Sequence, residues 1–370
     1  MAAKNVLGII FSNSFDEAIP QLTSLRTMGS VPFGGRYRLI DFTLSDMVNA
    51  GIPQVGVICN NNYRSLMTHI GNGKDWDLSR KREGLNLLPP FSLPESGACK
   101  GKVDALYNYI SYIGESGKEY VALTDCNAIC SVNYSELLKF TTSNNADITL
   151  CYCKGLPAKL AGATEICVDE GGSVTGLSLI DNFEKETAFL TKTMLIKRTL
   201  LERLLHEAHS QGIGDIEALL ISNLPHIKAY GFEQKGYVKV VDSLQSYFDA
   251  SLDLLNKENR KLLFNSDRPV YTKTGDNVPT FYGVSSSVKN SLIADGCIIE
   301  GEVENCILFR GVTVAKGAKV KNSILMKGTY VGEGCALSCV ITDKSVVFKQ
   351  NKTLSGDLNY PLYIGKGIII

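Results

Sequence analysis

Three short stretches in the first third of the chain are continuously apolar: Val6–Phe11 (VLGIIF), residues 54–59 (QVGVIC) and residues 120–124 (YVALT). Runs of this length, without polar alternation, predict strands covered on both faces. Between them, residues 41–50 and 103–113 carry apolar positions at helical spacing. Alternating strand and helix predicts an α/β layer around a mainly parallel sheet. Helical periodicity returns at residues 199–208 and 243–263, the second ending near Pro269 and a polar loop over residues 272–279.

After that loop the pattern changes. Four segments beginning at Asn290, Asn305, Asn322 and Ser338 each lead into aliphatic residues, at steps of 15, 17 and 16. A second series, from Ile293, Val314 and Val331, carries Gly296, Gly317 and Gly334 at its turns. Short apolar runs with glycine at corners, repeating about every three hexads, predict a parallel β-helix whose coils bury their aliphatics against one another. An up-and-down β domain would need hairpin turns between the runs, and these are absent.

Composition narrows the function classes. The 38 basic and 38 acidic residues cancel, which argues against a nucleic-acid binder relying on excess Lys and Arg. No apolar run approaches the ~18 residues that would span a bilayer, so a cytoplasmic protein is expected. Eleven cysteines, an odd number without paired CxxC spacing, predict reduced thiols and no metal cluster. Acyltransferases with hexapeptide β-helices need a histidine base on the β-helix. All four histidines, His69, His206, His209 and His226, precede it, so the repeat domain reads as a structural and assembly module.

Residues 31–42 (VPFGGRYRLIDF), with Asn49-x-Gly51-Ile52, His69-Ile-Gly-Asn-Gly73, Trp76-Asp-Leu-x-Arg80, Gly236-Tyr237 and Ser246-Tyr247, closely resemble bacterial glucose-1-phosphate adenylyltransferases (ADP-glucose pyrophosphorylases) along essentially the whole chain. The resemblance implies an α/β, nucleotidyltransferase (Rossmann-like, GT-A-like) domain with a mainly parallel mixed sheet, followed by a left-handed parallel β-helix of hexapeptide repeats. The expected boundaries are 1–245 for the first domain, 246–279 for a connecting helix and linker, and 280–370 for the β-helix. The implied reaction joins ATP and glucose 1-phosphate to give ADP-glucose and pyrophosphate for glycogen synthesis. It requires a triphosphate cradle, a cation for the leaving pyrophosphate and Mg²⁺ between carboxylates.

Against that pattern the chain departs at several places. Where the family has a glycine-rich loop whose bare N–H groups approach phosphates, residues 11–17 read Phe-Ser-Asn-Ser-Phe-Asp-Glu, putting Ser12 and Asn13 in the phosphate positions. The family's Arg-Ala-Lys-Pro matches Arg26-Thr-Met28-Gly29, which exchanges a phosphate-facing lysine for methionine. The two metal aspartates align with Asn127 and Val240, and neither is a carboxylate for hard Mg²⁺. The sugar-side Glu-Lys-Pro aligns with Leu179-Ile180-Asp181.

The resemblance therefore points to a GlgD-type regulatory subunit without catalytic residues or bound metal, paired with a catalytic subunit in a hetero- or homo-oligomer, the heterotetramer foremost. Arg26, Gly34, Gly35, Arg36 and Arg38 are the candidate contacts for a nucleotide or a phosphorylated small-molecule effector. The alternatives are a nucleotidyltransferase with a reorganised site, using Mg²⁺ held by Asp125 and Asp242, and a free-standing sensor of sugar phosphates or nucleotides. Three bland roles complete the reading: Asp104 as a helix cap, Trp76 packed at the sheet edge, and His206 and His209 on a helix surface.

Overall fold

The computed structural model describes residues 3–89, 101–155, 163–180 and 187–370. The first unit is built on a sheet of β1 (Val6–Phe11), β2 (Gln54–Ile58), β3 (Gly84–Leu88), β4 (Tyr120–Asp125), β6 (Ile148–Gly155), β7 (Ala163–Val168), β8 (Val174–Ile180), β9 (Thr187–Lys197) and β10 (Ala229–Glu233). A separate ribbon pairs β5 (Ala128–Ile129) antiparallel with β11 (Lys239–Val240). Strands β3, β2, β1 and β4 lie side by side and parallel, and β9 runs antiparallel to both β4 and β6. In β1, Val6 and Ile10 enter one core while Leu7, Ile9 and Phe11 enter the other. The period of two, with both sides apolar, is why this strand reads as an unbroken aliphatic run.

Helix α1 (Leu39–Asn49) begins two residues before the sequence pattern indicates, because the Asp41 carboxylate accepts the Arg38 backbone N–H at 3.0 Å and caps the first turn. The helix expected over 103–113 is two, α2 (Lys102–Tyr107) and α3 (Ile110–Glu115), because Tyr109 leaves helical dihedrals. Asp104 therefore lies inside the first turn of α2, whose N-cap is Gly101, and is not the cap. Residues 199–208 fall within α4 (Arg198–Gln211). The 243–263 pattern also divides, into α5 (Leu244–Asp253) and α6 (Lys257–Leu263), where the Asn256 side chain accepts the Glu258 N–H and starts a new helix. Trp76 is buried in the core that also takes Leu85 of β3, the edge strand, and its ring meets His69. His209 stacks flat on Tyr107, its ring centroid 3.9 Å away.

From Phe281 onward the chain forms a left-handed parallel β-helix of three five-rung sheets. One sheet places Leu292, Ile307, Ile324, Ile341 and Tyr363 toward α5 and the first unit, in a core shared with Tyr247, Phe248 and Phe42. The registers correct two sequence alignments. Ile324 pairs with Ile341, so Cys339, not Ser338, repeats Asn322, and the last step is 17. Gly296 also belongs with Gly311, whose N–H donates to Asp295, while Gly317 and Gly334 occupy another corner. At the corner of Asn290, Asn305 and Asn322 all three have positive φ (42°, 53° and 46°), and their amides bond in a ladder at 2.7 and 3.2 Å. Asparagine tolerates the left-handed conformation, and its amide satisfies its neighbour above and below. All described cysteines are free thiols, and only Cys167 among them is exposed. Among the described residues no helix is long and apolar enough to cross a membrane.

Candidate functional site

In open α/β sheets, ligands sit beyond the carboxyl ends of the strands where the chain order reverses. Here that place lies above β1, whose neighbours are β2 and β4, and it holds a cleft of about 670 Å³. The loop after β1 closes on itself. Ser12 Oγ donates to the Ile58 carbonyl at 2.8 Å, and Asn13 Oδ1 accepts the Asn60 N–H at 2.6 Å. Asn13 Nδ2 donates to Asp16 Oδ2, and Asp16 Oδ1 accepts the Met28 N–H, both at 2.6 Å. A backbone donor that could face an anion is thus taken by a carboxylate of the chain itself. Burial raises that carboxylate to about 6, against the lowering by its bonds to Met28 and Asn13. The Met28 side chain is fully buried with Ile19, Leu22 and Val31, so it faces the core and not the cleft.

The strongest charges of the cleft are paired with one another. Gly101 passes so close to the Gly214 carbonyl that a Cβ would lie 2.3 Å from its oxygen, and this approach sets Lys102 at the mouth of α2. Lys102 Nζ donates to Asp125 Oδ2 at 2.7 Å and lies 3.9 Å from Glu217 Oε1; Lys192 Nζ reaches the same Glu217 oxygen at 2.8 Å. Asp125 Oδ1 accepts from Ser14 Oγ at 2.8 Å. Burial lowers the Lys102 affinity for its proton, but Asp125 and Glu217 outweigh it and the net shift is upward. Glu217 is raised by burial, yet Lys102, Asp215 and Lys192 together hold it well below the carboxylate range.

Asn127 and Val240 come together: Val240 pairs with Ala128, the Val241 N–H donates to the Asn127 carbonyl at 2.8 Å, and both side chains line one void of about 10 Å³. An amide and an isopropyl group do not fit a hard divalent cation, and Asp125, the other candidate ligand, is held by an ammonium. The Asp242 N–H is engaged by Ser246 Oγ, and the residue does not line the cleft. Among the described residues no three His, Cys, Asp or Glu side chains are placed to hold a metal. Asp181 lies outside the described residues.

The remaining candidates separate. Arg26, expected at a nucleotide or effector, is instead buried between the two units: its Nη2 donates to both Asp343 oxygens at 2.7 and 2.6 Å, and Tyr363 bonds the same carboxylate. Gly34 and Gly35, with φ of 58° and 83°, form the turn between Pro32–Phe33 and Tyr37–Arg38, and Gly35 packs against the β-helix backbone at Leu308. Arg36 and Arg38 border a second cavity of about 370 Å³ between the units, with Lys273, Arg310, Lys327 and Lys344. Arg38 also donates to the Ser65 carbonyl at 2.8 Å. Burial, with Arg38 and Arg26 nearby, pulls Lys344 down to about 8. Asp276 is the carboxylate of this lining, so basic groups prevail there. The β-helix contribution, Arg310, Lys327 and Lys344, is invisible in sequence, because single basic residues scattered through repeats carry no motif.

Comparison with known proteins agrees with this architecture. The nucleotidyl transferase family model matches residues 19–163, and the GlmU-like C-terminal hexapeptide model matches residues 278–360. The glycogen biosynthesis protein GlgD of Bacillus subtilis is 33% identical over 369 residues, covering 100% of this chain and 98% of that protein. The GlgD of Geobacillus stearothermophilus is 34% identical over 316 residues (85% and 82% of the two chains). The glucose-1-phosphate adenylyltransferase of Fusobacterium nucleatum is 31% identical over 332 residues (86% and 85%). A mixed sheet with a cleft over β1, joined through a buried core to a hexapeptide β-helix and matched along its whole length by the Bacillus subtilis protein, belongs to the glucose-1-phosphate adenylyltransferase family, as a member of the GlgD type.

Proposed function

We propose that the chain works in glycogen biosynthesis as a non-catalytic or weakly active regulatory subunit, assembling in the cytoplasm with a catalytic glucose-1-phosphate adenylyltransferase and changing its turnover or effector response. The observation that carries this reading is the state of the metal position, where Asn127 and Val240 meet and Asp125 is bound by Lys102. Loss of one metal ligand ordinarily costs orders of magnitude in rate. The scaffold around the site is meanwhile intact, and an intact scaffold suits a subunit that biases a partner's conformational equilibrium.

The cavity lined by Arg36, Arg38, Lys273, Arg310, Lys327 and Lys344 supports a phosphorylated effector in this scheme, since clustered guanidinium and ammonium groups match phosphate oxygens. It lies between the units, where a ligand touches both at once. The test is co-expression with a catalytic homologue. A stable mixed oligomer with altered turnover or effector sensitivity is expected; failure to co-purify, or a partner with unchanged kinetics, would reject the regulatory role. The reading as an active enzyme with a reorganised site is tested by Asp125→Ala, which must abolish whatever activity exists.

A further inference from the structure

One corner of the β-helix stacks its residues into a column of charges. The N–H groups of Gly311, Gly328, Ser345 and Gly367 donate to the carbonyls of Asp295, Arg310, Lys327 and Lys344 at 3.2, 3.1, 3.0 and 3.0 Å. Asp295, Arg310, Lys327, Lys344 and Lys366 therefore occupy this corner in successive coils, about 4.8 Å apart. Elsewhere on the β-helix opposite charges meet rung on rung, Lys319 with Glu302 at 3.3 Å and Lys321 with Glu304 at 3.0 Å. In the column Arg310 has Asp295 at 4.0 Å. Lys327, Lys344 and Lys366 then follow as three like charges, and among the described residues none of them has a carboxylate within ion-pair distance. Asp343, the neighbour of Lys344 in the chain, is taken by Arg26.

Lys344 is the middle lysine and the most enclosed: it is half-buried, whereas Lys327 and Lys366 are exposed. It opens on the cavity between the units, where Arg38, His69, Lys273 and Asp276 are also in the lining. Burial, Arg38, Arg26 and Lys366 disfavour its ammonium form, and Asp343 alone opposes them. An amine that gives up its proton among cations is a nucleophile near neutral pH. A negative charge at its rung would lie between Lys327 and Lys366 and restore the alternation seen on the rest of the β-helix. We propose that Lys344 is a site of reversible carbamate formation with dissolved CO₂. The lone pair of the uncharged amine attacks the carbon, a C–N bond forms as one C=O π bond opens onto oxygen, and the nitrogen loses a proton to water, so that R–NH₂ and CO₂ give R–NH–COO⁻ and H⁺. So small and uncharged an electrophile needs only this amine and room, which the cavity of about 370 Å³ provides. The Arg38 guanidinium and the ammonium groups of the adjacent rungs are the counter-ions of the product. Carbamate at Lys344 also opposes any anionic effector in the same cavity, because it replaces a cation with an anion.

The step goes beyond the regulatory reading and needs no partner subunit. Its test is carbon NMR of the full-length chain in isotopically labelled bicarbonate, between about pH 7 and about pH 8.5. Two protein carbamate signals are expected: one from the α-amino group, whose ordinary pKa is about 8, and one from Lys344. Lys344→Arg, which keeps a cation in the column, should lose the second signal and retain the first as an internal standard. Arg38→Gln should weaken the Lys344 signal by about tenfold near pH 7, because loss of the neighbouring guanidinium makes the amine more basic by about one unit. A single signal from the α-amino group in the wild-type chain would overturn the proposal, and so would two signals of unchanged strength in either variant. Unchanged kinetics of a catalytic partner would instead reject the regulatory reading, so the two failures are distinct.

Discussion

Asp46 on α1 is buried, and its Oδ2 accepts the Val132 N–H at 2.7 Å. Burial raises its pKa from 3.8 to about 8, against the lowering by Val132 and Arg268. The folded state therefore holds this proton more tightly than the unfolded chain. The stability it confers is full below about pH 4 and falls as pH rises toward 8. Asp16 acts in the same direction only up to about 6. Urea unfolding across the neutral range should show stability declining with pH, and Asp46→Asn, which keeps the acceptor for Val132, should remove the decline above pH 6. A second residue-scale prediction concerns Lys102: Lys102→Met leaves Asp125 buried without its ammonium and should cost about 3 kcal/mol. The double variant with Asp125→Asn should recover most of this, as a double-mutant cycle would reveal. At this scale the sequence exposed substitutions such as Met28 and Asn127, since each stands inside a motif. It did not expose partners. That Lys102 meets Asp125, or that Asp16 takes the Met28 N–H, depends on a fold that brings together residues 23 and 12 positions apart.

Among the elements, the β-helix was the most legible because each coil must repeat the same small set of conformations. Strands β1, β2 and β4 were equally plain, since burial on both faces leaves polar residues only at their ends, Gln54 in β2 and Thr124 and Asp125 in β4. The errors came where two solutions share one periodicity. Residues 243–263 keep helical spacing across a break that only the Asn256 cap specifies, and Ser338 precedes Cys339 so closely in chemistry that the register slipped by one. The asparagine ladder carries a prediction of its own. Asn305→Ala removes amide bonds to both Asn290 and Asn322 and places a Cβ-bearing residue without side-chain compensation at φ 53°. A loss of about 2 kcal/mol is expected from these two effects, and Asn305→Gly should lose less, because glycine accepts positive φ without strain. Thermal unfolding of the three proteins decides it.

Across the whole molecule, the two units are joined by an apolar core and by the Arg26–Asp343 pair, both side chains 3% exposed. Removing one partner of such a pair leaves an uncompensated buried charge, so Asp343→Ala should destabilise by about 3–5 kcal/mol, read as a lower urea midpoint. The pair explains why a phosphate-facing reading of Arg26 fails: its charge is spent on the β-helix, and no motif in either unit announces a contact 317 positions away. Scaffold, joint and basic cavity surround a site where Asn127 and Val240 stand at the positions that the family resemblance assigns to metal ligands. On the reading we propose, this molecule alone makes little or no ADP-glucose. The most direct test is ADP-glucose formation by the purified chain alone, supplied with ATP, glucose 1-phosphate and Mg²⁺. Product at most slightly above an enzyme-free blank is predicted, and turnover comparable with a catalytic homologue would contradict the account.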